Sequence, residues 1–252
     1  MTFAVAADSY DRFMGRYSVL LAPQLAALAD VAAGQRVLDV GCGPGALTTE
    51  LVRLVGPAGV TAVDPSEPFV AAARERHPGV TVERAGAEQL PFPDESFDAA
   101  LAQLVVHFMK DPVTGLGEMG RVTRPGGVVA ACVWDHGGGQ GPLTVFWRAV
   151  TARDPEADDE SRLAGAREGH LAALFAEAGV RDLEATTLPV HRDYAGFDDW
   201  WEPYTLGVGP AGAYLAALGP GEREDLRERC RALLPDGPFT LTARAWAVRG
   251  RA

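Results

Sequence analysis

The stretch RVLDVGCGPGALTTELVRLV, residues 36–55, decides the fold. Residues 36–40 (RVLDV) are a short β-branched and apolar run, residues 41–46 (GCGPGA) a glycine-rich turn, and LTTELVRLV an apolar helical stretch. Strand, glycine turn and helix in succession open a βαβ unit. Working downstream, the pattern repeats. VTAVD at 60–64 reads as a strand and EPFVAAARERH at 67–77 as a helix stopped by His77-Pro78. VTVERA at 80–85 is the next strand. After the proline-rich turn LPFPDES, FDAALAQLVV at 97–106 reads as a buried strand running into a helix, and DPVTGLGEMGRVT at 111–123 as a helix. RPGG is expected to be a turn before a fifth strand, VVAACVW at 128–134. Strands alternating with helices predict an α/β fold with a parallel, doubly wound sheet.

Beyond residue 135 the character changes. DHGGGQGP reads as a flexible loop, and residues 152–162 (ARDPEADDESR), with five acids against two bases, as a solvated surface segment. A helix is expected near 168–178, a strand at 181–191, an aromatic stretch (YAGFDDWWEPYTLG) at 194–207, a charged helix near 220–234 and a last strand at 239–248. The chain thus reads as a single domain: cap helices over 1–30, a ligand-binding core over 31–135, and lid insertions with C-terminal strands over 136–252.

The 252 residues carry 23 basic and 34 acidic side chains, a net charge of −11, and only Lys110 among the bases is lysine. No basic cluster stands out to neutralise phosphates, so nucleic acid is not expected as a partner. With 47% hydrophobic and 23% charged residues the composition is that of an ordinary globular protein. Three cysteines, Cys42, Cys132 and Cys230, with no CxxC pair, suit a reducing cytoplasm. No apolar run reaches the roughly 18 to 20 residues of a membrane span, and the N-terminal stretch lacks an export pattern. The five histidines show no metal-ligand spacing, so no metal is expected.

A glycine loop between a parallel strand and a helix brings a ligand close to backbone amides at the helix N-terminus. Gly41, Gly43 and Ala46 satisfy GxGxxG/A, with Asp64 about 20 residues on, as a dinucleotide-binding site would have it. Asp39, two residues before Gly41, argues otherwise. A carboxylate there repels a pyrophosphate and suits a ligand with an ammonium and a sulfonium, such as S-adenosylmethionine. Asp64 can accept both ribose hydroxyls in either case.

In this order and spacing, VLDVGCGPGALT, AVDPS, AGAEQLPFPDESFDAALAQLVVHFMKDP and EMGRVTRPGGVV resemble the class I S-adenosylmethionine-dependent methyltransferases, and in particular the type 11 group that includes ubiquinone and menaquinone C-methyltransferases. The resemblance covers residues 36–134. It implies a Rossmann-like, mostly parallel seven-stranded sheet with a C-terminal antiparallel pair and a small helical lid. It also implies methyl transfer from S-adenosylmethionine to a small-molecule acceptor, on oxygen, carbon or nitrogen, with S-adenosylhomocysteine as product. Asp39, Gly41, Gly43 and Gly45, with Cys42 among them, match the loop at the methionine end; Asp64 matches the ribose acid, with Pro65 and Ser66 beside the adenine. Ala87 and Glu88 match the segment at the adenine edge, and Gln103 and Leu104 the positions closing over the methionine moiety. Gly86 departs from the family, which often has Asp or Asn there. YDRFMGRYS resembles the family's cofactor-covering segment, in which Tyr10, Phe13 and Tyr17 supply aromatic cover and Arg16 a cation for the methionine carboxylate; a surface helix packed on the domain is the alternative.

Methyl transfer needs alignment and water exclusion, with a base only where the acceptor must lose a proton. His107, after the fourth strand, is the first candidate base, against a purely structural role in the turn. His136 beside Asp135 is comparable. His191, Tyr194, Trp200, Trp201 and Tyr204 either line an acceptor pocket or pack a lid; His77 and His170 read as surface residues, and Cys42 as a small packed side chain. An NAD-dependent oxidoreductase and a non-catalytic S-adenosylmethionine-binding module are the rival readings.

Overall fold

A computed structural model describes residues 7–252, so the first six residues of the expected cap lie outside the described residues. Seven strands form one sheet: β1 (Val37–Val40), β2 (Val60–Asp64), β3 (Thr81–Arg84), β4 (Phe97–Gln103), β5 (Thr123–Trp134), β6 (Arg181–Tyr194) and β7 (Phe239–Arg251). Their order is β3-β2-β1-β4-β5-β7-β6. The first five are parallel, while β7 runs antiparallel to both β5 and β6. This is the seven-stranded, mostly parallel sheet expected from the sequence.

The helices are α1 (Ala7–Tyr10), α2 (Arg16–Leu28), α3 (Ala46–Val55), α4 (Glu67–Arg76), α5 (Pro112–Val122), α6 (Thr144–Arg153), α7 (His170–Glu177), α8 (Phe197–Trp201), α9 (Gly209–Ala217) and α10 (Pro220–Arg231). A π-helical turn, Asp11–Gly15, joins α1 to α2. Successive side chains of a strand point to opposite faces. Val37, Leu101, Cys132 and Trp134 therefore pack with Leu25, Leu51 and Phe146 of α2, α3 and α6, whereas Leu38, Ala100 and Val133 pack with Leu116 and Phe175 of α5 and α7. Every residue of β1 is buried, as expected for a central parallel strand covered on both faces. Chain direction across the sheet reverses between β1 and β4, which opens a crevice at their carboxyl ends.

Four local expectations need correction. RPGG is not a separate turn: in β5 the register jumps from Phe97↔Thr123 to Ala99↔Val128, so these residues bulge out within the strand. After β4 the chain does not enter a helix; Leu104 adopts a left-handed φ of 62° and a short 3-10 turn, Val106–Phe108, follows. DHGGGQGP is pinned rather than loose. Asp135, fully buried, is ion-paired with Arg244 and accepts the Gly138 N–H at 2.8 Å, and the Gln140 N–H reaches the Asp135 carbonyl at 2.9 Å. Within the acidic segment, Glu160 is only 5% exposed. Among the described residues no helix is long and apolar enough to cross a membrane.

The Asp135–Arg244 pair holds His136 in place through a charge that cannot reach water. Arg244 is itself 39% exposed, so its loss costs less than breaking a fully buried pair, yet it leaves the buried Asp135 carboxylate short of a partner. Arg244→Met is expected to lose about 1 to 3 kcal/mol in urea unfolding; an unchanged midpoint would place the anchoring elsewhere.

Candidate donor and acceptor sites

Asp39 and Asp64 end neighbouring parallel strands, and the glycine loop folds between them. Asp39 is 1% exposed and Asp64 6%. Thr48, in the first turn of α3, donates to Asp39 Oδ2 at 2.6 Å, while Oδ1 has no hydrogen-bond partner among the described residues. Burial, only partly opposed by the Thr48 bond, pushes the Asp39 carboxyl up to about 7. The two oxygens of Asp64 accept the Gly43 N–H at 2.9 Å and the Ser66 N–H at 2.8 Å, and burial again raises its pKa.

The loop needs its glycines. The Gly41 and Cys42 N–H groups both donate to the Val63 carbonyl, drawing the loop onto β2. Gly41 sits at φ 71°, where a Cβ would run into Val105. Gly43, at φ 53°, faces open space instead. Gly45 lies under His77, whose Nε2 would be 2.5 Å from a Cβ; His77 is thus half-buried against the loop rather than a simple surface residue. Cys42 packs with Ala62, Val70 and Ala73, and burial raises its thiol pKa.

The N-terminal segment lies over this site, held by a residue that sequence reasoning missed. Arg76 donates to the Pro44 carbonyl of the glycine loop at 3.2 Å and pairs with Asp11 at 2.7 Å. Tyr10 meets the Phe69 ring edge-on at 5.3 Å, and burial, to which the Asp64 charge adds, pushes its hydroxyl up to about 12. Arg16, expected at the methionine end, is engaged with the lid in this structure. Its guanidinium is bound to the carbonyl and carboxylate of Asp199 at 3.1 and 3.3 Å and stands over the Tyr194 ring. Gln103 donates to the Ser18 carbonyl at 3.0 Å, leaving its buried Oε1 unpartnered among the described residues. Arg84 holds the Pro65 carbonyl at 3.2 Å. Ala87 is buried, whereas Glu88 turns to the backbone amides of Lys110 and Asp111 at 2.7 and 3.4 Å.

Beside the carboxyl end of β4 lies an inner cavity, whose wall includes Tyr10, Phe13, Leu104, His107, Trp134 and His136, with Glu160 at one side. His107 is buried with Nδ1 unpartnered among the described residues; burial, aided by His136, lowers its pKa to about 3. The His107 and His136 rings meet edge-on at 6.4 Å. Burial lowers His136 to about 4 and raises Glu160 to about 7. His136 Nε2 stands 3.9 Å from Glu160 Oε1, and Trp147 Nε1 donates to Glu160 Oε2 at 2.8 Å.

The aromatic stretch is not in that wall. Tyr204 stacks on Phe146 at 4.7 Å and meets Phe13 edge-on at 5.2 Å, with Trp200 and Trp201 packed behind it in the core. Packed in the lid, Trp201 and Tyr204 also line a separate cavity with Thr205, Arg223 and Arg227. His191 bonds Thr242 on an exposed strand face at 2.9 Å, Tyr194 pairs with the Tyr17 hydroxyl, and His170 accepts the Gly165 N–H at 3.3 Å; none lines the inner cavity.

A family model described as a methyltransferase domain matches residues 38–131, from β1 into β5. Within and around this matched segment the chain is 40% identical over 116 residues to a fatty-acid O-methyltransferase of Mycolicibacterium smegmatis, covering 45% of this chain and 42% of that protein. It is 36% identical over 135 residues to a ubiquinone/menaquinone biosynthesis C-methyltransferase of Bdellovibrio bacteriovorus, covering 50% and 57%. The matches thus span about half the length of these curated relatives. A solved structure of a putative methyltransferase from an antibiotic biosynthesis pathway of Anabaena variabilis superposes with a TM-score of 0.62 at 19% identity, over 92% of this chain and 96% of that one, a likeness of fold alone.

The raised Asp39 pKa makes the stability of the fold pH-dependent. Between about 4 and about 7 the folded state holds a proton on Asp39 that the unfolded chain has released, so stability falls as pH rises through this window. Asp39→Asn mimics the protonated form. Melting temperatures from pH 5 to 8 should fall more steeply in the wild type than in Asp39→Asn; parallel curves would contradict the assignment.

Proposed function

We propose that the chain transfers a methyl group from S-adenosylmethionine to a small-molecule acceptor and releases S-adenosylhomocysteine. The observation that carries this reading is the Oδ1 of buried Asp39, unpartnered among the described residues, at the switch point of the sheet. A buried carboxylate with an open lone pair fits a ligand ammonium, which would return its pKa toward the ordinary range. Asp64 fits ribose hydroxyls, since among the described residues each of its oxygens accepts a single N–H, which leaves a lone pair for a ligand. Gly41, Gly43 and Gly45 let the loop approach the ligand, Pro65, Ser66 and Ala87 stand toward the adenine, and Gln103 and Leu104 toward the methionine end, with Tyr10 as cover.

When bound, the sulfonium supplies the electrophilic methyl group. The chain's part is alignment and water exclusion. The inner cavity adjoins Leu104 and is lined mainly by apolar and aromatic groups, so it suits an apolar acceptor, with His107 at its wall. The relatives' names, a fatty-acid and a quinone methyltransferase, are consistent with an apolar acceptor. In this reading residues 31–135 hold the donor, while the cap over 1–30 and the segment 136–252 surround the acceptor. The net charge of −11 speaks against nucleic acid, and three free buried cysteines support a reducing, cytoplasmic setting.

Calorimetric titration tests the donor site. S-adenosylmethionine is expected to bind and NAD not to bind. Asp64→Ala should weaken binding by about tenfold or more, the equivalent of one hydrogen bond to a charged group at roughly 1.5 to 3 kcal/mol; unchanged affinity, or stabilisation by NAD alone, would overturn the reading.

A further inference from the structure

His136 and Glu160 line two cavities at once. One is the inner cavity beside Leu104 and His107; the other lies beyond them, walled by Thr144, Arg148, Asp159 and Ser161. The two side chains therefore form a partition. Each is 5% exposed, and Glu160 is oriented by the Trp147 indole N–H at 2.8 Å. The sequence neighbourhood of Glu160 is a run of acids that would ordinarily face water, yet this one carboxylate is turned inward.

We propose that the His136–Glu160 pair is the proton acceptor of the methyl-transfer reaction, and that the acceptor substrate is a small apolar molecule bearing a neutral hydroxyl. The inference rests on the methyl-transfer reading of the donor site. Two observations select the hydroxyl. Among the described residues no lysine or arginine lines the inner cavity, so a carboxylate acceptor would enter without a counter-charge and face Glu160. A neutral hydroxyl, by contrast, must lose a proton as it is methylated, and the partition is where a proton-accepting group stands. The acceptor O–H bond breaks toward the pair, the oxygen forms the new O–CH3 bond, and the S–CH3 bond breaks with its electrons left on sulfur. The added proton leaves through the outer cavity.

Burial sets the pair's titration: His136 stays neutral, while Glu160 loses its proton near 7, which places an acceptor for protons close to neutral pH. The titratable groups facing the pair are His107 and Tyr10 from the inner side, Asp135 behind His136, Asp159 and Arg148 from the outer side, and Tyr204 from the lid. Two of these are carboxylates, and the coulombic effect of Asp159 helps raise Glu160.

The test uses a matched pair of probes, 4-propylphenol and 4-propylbenzoate, which share an apolar body and differ in charge. At pH 8, in the presence of S-adenosylhomocysteine, the phenol is expected to bind at least about tenfold more tightly than the benzoate, and Glu160→Gln, an isosteric change, to narrow that ratio by relieving the benzoate. Single-turnover methylation of the phenol at saturating S-adenosylmethionine should rise with pH through about 7 in the wild type. In Glu160→Gln it should fall about a hundredfold and lose this pH dependence, with S-adenosylmethionine affinity unchanged. Tighter binding of the benzoate, no binding of either probe, or no transfer to the phenol by protein that binds S-adenosylmethionine would each overturn the inference, as would a Glu160→Gln variant with the wild-type pH profile. Failure to bind S-adenosylmethionine at all would instead overturn the donor-site reading, and the probe ratio would still report on the cavity.

Discussion

Two carboxylates stand at the carboxyl ends of adjacent strands, both nearly closed off from water, with Thr48, Gly43 and Ser66 as their hydrogen-bond donors. No arginine or lysine pairs with either in the described residues. Burying charge without a counter-charge is costly, and at Asp39 the protein meets that cost by holding the proton to near neutral pH. The surrounding architecture follows from this constraint. The loop must pass close enough for the Gly43 amide to reach Asp64, which requires left-handed glycines. Helix α3 must begin where Thr48 can reach Asp39. A cationic ligand with paired hydroxyls would resolve both deficits at once.

A third buried carboxylate is handled in the opposite way. Asp135 is matched by Arg244 from β7 and by the Gly138 amide, and this pairing ties the loop after β5 to the neighbouring antiparallel strand. The loop so fixed carries His136 to Glu160. One buried acid thus serves as an anchor, while Asp39 and Glu160 retain the raised pKa values that belong to groups awaiting a ligand or a proton.

The parallel core was legible because its signals are local. RVLDV followed by GCGPGA needs only neighbouring residues to declare a strand end and a left-handed turn, and Asp39 and Asp64 are placed by the same short segments. What escaped was set by distance along the chain. Arg244 meets Asp135 across 109 residues and Arg16 meets Asp199 across 183, and no periodicity reports such partners. Glu160 sits in a segment whose composition points to solvent; only the fold reveals the Trp147 indole that draws it in. RPGG reads as a turn because proline and glycine break strands, yet β4 continues alongside and the chain accommodates the break as a bulge. The tryptophans of the aromatic stretch are equally suited to a pocket wall and to a core, and the stacking of Tyr204 on Phe146 places them in the core.

The central claim is that Asp39 and Asp64 together hold S-adenosylmethionine, with the acceptor cavity beyond Leu104. A crystal structure of the chain with S-adenosylhomocysteine tests it most directly. The account predicts the amino group on Asp39, the ribose hydroxyls on Asp64 and the sulfur facing the cavity that His107, His136 and Glu160 line. A ligand bound with neither carboxylate in contact, or with its sulfur turned away from that cavity, would contradict it.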